Sequence, residues 1–193
     1  TFNGVSGQSM RVGYSRSTSA VTVDLSAGTA LDGFGGTDTI ANASQVRGSA
    51  FDDVLTGSAG AGFSFERFRG QAGDDIIDGG SGNDWISGGS GNDTIDGGDN
   101  VDQVDYVTDI FSGGTSGVSV NLAAGSAIDG FGDTDTLLNI EKVIGTDQGD
   151  TITVGLVGQG SGQRMTADGK AGDDTLLGTD GADAFFIGGA GND

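Results

Sequence analysis

The side chains in this sequence that recur at a spacing fit for chemistry are carboxylates. Asp75, Asp84, Asp93 and Asp102 stand nine residues apart, each the sixth residue of a block: GQAGDDIID, GGSGNDWIS, GGSGNDTID and GGDNVDQVD, unbroken from Gly70 to Asp105. The eighth residue of each block is aliphatic: Ile77, Ile86, Ile95 and Val104. A period of nine with glycine, acid and apolar slots brings its acids into register. Two carboxylates one strand-spacing apart in a partly dry site either raise a proton affinity or demand a cation. Turn carbonyls directed inward at the glycines complete an all-oxygen donor set, which suits Ca²⁺. Mg²⁺ needs a tighter octahedron and keeps its waters, and Zn²⁺ lacks its usual ligands because the chain has no His and no Cys.

The block itself says how those acids are positioned. Its first six residues are turn formers, glycine for positive φ and Asn or Asp for left-handed geometry. The last three form a very short strand, with Ile86 of GGSGNDWIS pointing inward and its neighbours outward. One block reverses the chain once, so two blocks close a flattened coil of 18 residues. Successive coils then stack as parallel strands ~4.8 Å apart. This stacking sets Asp75 beside Asp93 and Asp84 beside Asp102. It also sets Glu66 under Asp84 and Asp174 against Asp193, and leaves Asp183 to pair with a further coil. Asp53 and Asp150 occupy the acid slot, or lie one residue off it, with partners the spacing does not define.

A longer repeat encloses the short one. Residues 21–56 laid over 118–153, a shift of 97, agree at 18 of 36 positions. The match resumes where GQAGDD at Gly70 meets GKAGDD at Gly169. The chain therefore reads as two tandem units, 1–105 with nonapeptides at 70–105, and a truncated 106–193 with nonapeptides at 145–153 and 169–193. Val21, Val23 and Leu25 alternate with polar residues, as do Val118, Val120 and Leu122, and both sets read as half-buried strands. Two loops follow, Asp32-Gly-Phe-Gly-Gly-Thr-Asp38 and Asp129-Gly-Phe-Gly-Asp-Thr-Asp135. They read as tight turns anchored by Phe34 and Phe131 in the core, with a further ion site as the alternative. Val46, Leu55, Phe68, Val143, Ile152, Leu176 and Phe185 take the inward apolar slot. The stretches 57–69 and 154–168 read as irregular inserts, Glu66 standing in the first where Met165 stands in the second. No capped helical pattern occurs, so the fold class is all-β, a parallel solenoid.

Composition limits the partners. The chain carries 28 acidic against 8 basic residues, a formal charge of −20, 40 glycines and no proline, with 34% apolar residues. Such a balance favours disorder unless counter-ions cancel the self-repulsion, so folding is expected to depend on cations. A polyanion offers nothing to nucleic acid or to an anionic membrane, and no apolar run is long enough to insert. The chain has no initiator methionine, shows no signal peptide and stops inside a repeat, as a segment of a longer protein would. Without His or Cys the usual general base and nucleophile are missing, so no enzyme activity is expected. A calcium-assisted lyase would have to draw its base from Lys142, Arg164 or Lys170.

The blocks resemble the glycine- and aspartate-rich nonapeptides, G-G-x-G-x-D-x-U-x, of the RTX (haemolysin-type) calcium-binding proteins. GGSGNDWIS and GGSGNDTID match at every defined position, while GQAGDDIID, GKAGDDTLL, GGDNVDQVD and GTDGADAFF each depart at a glycine. The resemblance implies a parallel β-roll holding several Ca²⁺ ions between stacked turns. It also implies a bacterial protein exported by a type I system that folds when it meets calcium outside the cell. The tandem units point to a structural repeat of an extracellular fibre, surface layer or adhesin, in contact with neighbouring repeats or other copies. The alternatives are the export and folding module of a secreted toxin or hydrolase, and a β-helix that binds or modifies a cell-surface glycan.

Overall fold

The computed structural model describes residues 1–5, 8–60, 65–155, 164–179 and 183–193. Each nonapeptide turns the chain through half a coil and delivers a strand to alternate sides. Ile76–Asp78 and Thr94–Asp96 lie in one sheet, and Trp85–Ser90 and Gln103–Asp105 lie in the other. Pairing is parallel at the 18-residue offset the blocks require, Ile77 opposite Ile95 and Ile86 opposite Val104. The architecture is a parallel β-roll, with a 12-stranded and an 8-stranded sheet among the described residues.

The inward residues form two facing columns. Val46, Phe68, Ile86, Val104 and Val143 line the smaller sheet. Val23, Leu55, Ile77, Ile95 and Leu137 line the larger one. All ten are buried. One inward apolar side chain per strand is enough because the sheets close directly on each other, so little more of the sequence needs to be apolar.

The inequality of the sheets comes from the longer repeat. In each unit the larger sheet contains an antiparallel meander: Thr22–Asp24, Thr29–Leu31 and Thr37–Ala41, then Ser119–Asn121, Ser126–Ile128 and Thr134–Leu138. Only the first strand of each meander was expected, because the others lie among turn signals too dense for a strand period to show. The first hairpin closes where Asp24 Oδ1 accepts the Ala27 N–H at 2.7 Å, and the second where Asn121 Oδ1 accepts that of Ala124 at 3.0 Å.

Two further expectations are corrected. Phe34 is 62% exposed and Phe131 only half-buried, so neither anchors its turn in the core. The turns are held by their own aspartates: Asp32 Oδ1 accepts from the amides of Phe34 and Gly36, and Asp129 Oδ1 from those of Phe131 and Asp133. The all-β class stands; the short helix Asp109–Ser112 lies between Gln103–Asp105 and Ser119–Asn121 and ends at Gly113 with φ of 113°. In the last block the strand pairing sets Phe186, not Phe185, opposite the buried Ala167. The phase slips by one because Met165, rather than Thr166, is the inward residue that meets this strand, opposite Ala184. Leu176 is half-buried at the same end of the roll. Parts of the inserts at 57–69 and 154–168 lie outside the described residues. Among the described residues no helix is long and apolar enough to cross a membrane.

Candidate metal centre

Along the turns, carboxylates stack in columns, one per coil. In the first column the Asp53 amide donates to Asp75 Oδ1 (2.7 Å), the Asp75 amide to Asp93 Oδ1 (2.9 Å), and the Asp93 amide to Asp135 Oδ1 (3.1 Å). In the second, the Glu66 amide donates to Asp84 Oδ1 (2.8 Å), the Asp84 amide to Asp102 Oδ1 (2.6 Å), and the Asp102 amide to Glu141 Oε2 (2.8 Å). A third column carries Asp150, Asp174 and Asp193, linked at 2.8 and 3.2 Å. One carboxylate oxygen thus clamps the neighbouring rung, and the glycine-rich turn makes room for the other. A Cβ built on Gly70, Gly88 or Gly169 would overlap the Oδ2 of Asp75, Asp93 or Asp174.

The second oxygen separates the middle of each column from its ends. Oδ2 of Asp75, Asp84, Asp93, Asp102 and Asp174 is buried without a hydrogen-bond partner. At the column ends Asp53, Asp150, Glu66 and Asp135 both oxygens are engaged. Asp53 accepts from Val21 N, Ser49 N and Ser49 Oγ, and Asp150 from Val118 N, Thr146 N and Thr146 Oγ1. Glu66 accepts from the amide and hydroxyl of Ser58, and Asp135 Oδ2 from the Tyr106 hydroxyl at 2.9 Å. An orphaned carboxylate oxygen in the interior is costly unless it is protonated or meets a cation.

Electrostatics raise these positions along with column ends such as Asp135, which burial pushes up to about 7. Burial, followed by the charges of the neighbouring rungs, pushes Asp75, Asp93 and Asp102 up to about 8 and Asp84 up to about 6. Burial likewise raises Asp174, with Asp193 adding to the rise. No lysine or arginine forms an ion pair with these groups among the described residues. Nor, among them, do three or more acidic side chains gather into a ready-made cage. An ion between rungs would therefore take one or two carboxylate oxygens and complete its shell from peptide carbonyls. The donor chemistry fits: hard anionic oxygens, crowded glycine turns and no nitrogen or sulfur ligand.

The residues proposed from sequence are distributed as follows. Asp75 and Asp93, Asp84 and Asp102, and Asp174 and Asp193 are brought together as stacked pairs, and Glu66 lies beside Asp84. Asp53 and Asp150 gain the partners the spacing left undefined, Asp75 and Asp174. Asp183 stays outside the columns, exposed and 3.5 Å from Arg164. Sequence reasoning missed Glu141, which continues the second column from 39 residues away, and placed Asp135 only in a turn with a further ion site as the alternative, not as the rung 42 residues from Asp93 that it is. It also missed Asp109, a buried carboxylate that burial raises to about 8 beside the raised Asp129.

Residues 41–61, 69–104 and 166–193 match the family described as the RTX calcium-binding nonapeptide repeat, in 4 copies. No curated protein matches the chain significantly.

Proposed function

Since the chain carries RTX calcium-binding nonapeptide repeats, which bind several Ca²⁺ ions and form β-rolls, we propose that it is a calcium-stiffened structural segment of a secreted bacterial protein. The observation that carries this reading is the set of orphaned buried oxygens on Asp75, Asp84, Asp93 and Asp102. Those four aspartates, with Asp174, are the primary ligands in this reading, and Asp193 and Glu66 are supporting ones. Asp53 and Asp150 act as clamps whose oxygens already have protein partners.

Free of calcium, the acids repel one another and the chain is loose. Calcium outside the cell draws the rungs together, so binding and folding are one event. The tandem units 1–105 and 106–193 make length instead of a pocket, which favours a link in a fibre, surface layer or adhesin. Parallel pairing supports this, since Thr94–Asp96 joins Thr134–Leu138 and Gln103–Asp105 joins Lys142–Ile144, and the roll continues from one unit into the next. The role is mechanical, not catalytic. Circular dichroism and calorimetry at pH 8 with calcium and with excess chelator test the proposal. Calcium in the millimolar range should restore a β spectrum that chelation abolishes. An equally β-structured chain that takes up no calcium refutes it.

A further inference from the structure

The outer face of the smaller sheet has the opposite charge from the rest of the molecule. Side chains alternate along each strand, so the residues flanking Val12, Val46, Phe68, Ile86, Val104 and Val143 point outward. Strand register lines them up as Arg11, Gln45, Arg67, Trp85, Gln103 and Lys142. Beside this row, Arg47 lies opposite Arg69 and Arg69 opposite Ser87. Five of the chain's 8 basic residues are therefore on one face of a protein with net charge −20.

The fold does not need this arrangement. Like charges directly opposite one another on neighbouring strands destabilise a sheet. The ion pairs formed by basic side chains among the described residues, Arg164–Asp183 and Lys170–Asp168, belong to the other end of the roll. On this face Asp105 is a buried carboxylate that accepts the Val107 amide at 2.9 Å. Its charge acts on Arg67 and Arg69, while the direct contacts of the guanidinium groups are with neutral neighbours. Arg67 stacks 3.7 Å over the Trp85 ring, and Arg47 Nε donates to Gln71 Oε1 at 2.7 Å. Arg11, Gln45, Arg47, Arg67 and Arg69 surround a concavity of about 80 Å³. That space admits a single carboxylate or similar oxyanion, and the planar forks of arginine match such a group.

We propose that this face binds a carboxylate-bearing polysaccharide laid along the roll axis, with one carboxylate seated among Arg11, Arg47, Arg67 and Arg69. The cations are spaced by Gln45, Trp85, Gln103 and Ser87, and this alternation suits a chain whose charges are separated by hydroxyl-rich sugars. A nucleic acid duplex, with a charge every ~1.7 Å, would meet the repulsion of the whole acidic molecule. The proposal rests on the folded roll and not on its mechanical role.

Hyaluronan oligosaccharides, which carry a carboxylate on every second sugar, are the probe, titrated into the calcium-loaded chain against neutral dextran. Trp85 is the only tryptophan, so its fluorescence reports from the site itself. Hyaluronan should give a saturable change and dextran none. The Arg47→Gln/Arg69→Gln pair should weaken binding at least about tenfold, as expected on losing charge-assisted hydrogen bonds, and the Arg→Lys pair should retain part of it. The β spectrum and calcium uptake, measured on the same samples, distinguish failure of this site from failure of the calcium reading. Three results would overturn the proposal: no response to hyaluronan, binding indifferent to the Gln pair, or DNA or anionic phospholipid vesicles bound as tightly as hyaluronan.

Discussion

Removing calcium should leave a protein whose stability falls as pH rises. Asp75, Asp93 and Asp102 are pushed up to about 8 in the folded chain and Asp84 up to about 6, whereas an unfolded aspartate titrates near ~3.9. Between these limits the folded state holds protons that the unfolded state has released. Stability is therefore fully present below the unfolded value and is lost as pH rises through the folded ones. Each extra proton corresponds to about 1.4 kcal/mol per pH unit. Asp75, Asp93 and Asp102 together give about 4 kcal/mol per pH unit before the joint titration of neighbours in a column is counted, and Asp109, also pushed up to about 8, adds to the same trend. Over about two pH units this matches the whole stability of an ordinary domain, about 5–15 kcal/mol. Thermal melts followed by circular dichroism on metal-stripped protein should show β structure near pH 5 and its loss by pH 8. Millimolar calcium should abolish that trend by replacing the protons. A metal-stripped chain whose melting temperature is flat or rises from pH 5 to pH 8 would refute the reasoning.

Asp93→Asn keeps an oxygen for the Asp75 amide and removes the buried charge; chemical denaturation should show the variant more stable than the parent in chelator at pH 6 and less stable in calcium. Gly88→Ala puts a methyl group where Asp93 Oδ2 lies, so calorimetry should count fewer bound ions and denaturation should show a loss of about 2–4 kcal/mol in calcium. Ile86→Ala opens a cavity between Phe68 and Val104, which should cost about 2–5 kcal/mol in a calcium-loaded melt without changing ion stoichiometry. Tyr106→Phe strips Asp135 Oδ2 of its hydroxyl donor; a loss of about 1–3 kcal/mol is expected in the same melt, and no loss would mean that this column end is not closed by Tyr106.

The period of nine was enough to read the coil, the parallel stack, the inward Ile77, Ile86, Ile95 and Val104, and the pairing of Asp75 with Asp93 and of Asp84 with Asp102. All of these follow from local rules: glycine turns, strand alternation and a constant rise per rung. Tertiary structure decided whatever breaks that constancy. Asp135 and Glu141 join the columns only because a meander fits between rungs, and no fixed offset reveals this. The fates of the second carboxylate oxygens were equally hidden. Ser49, Thr146, Ser58 and Tyr106 satisfy the column ends from turns whose approach depends on the fold. The basic face is a third case, because Arg11, Arg47, Arg67 and Arg69 lie scattered along the chain and become neighbours only when the strands are in register. The repeat alone determined where the carboxylates of the unbroken nonapeptide run, Asp75 to Asp102, stack. Long-range packing decided which of them keep an unpartnered oxygen, because that depends on which donors the rest of the chain brings within reach.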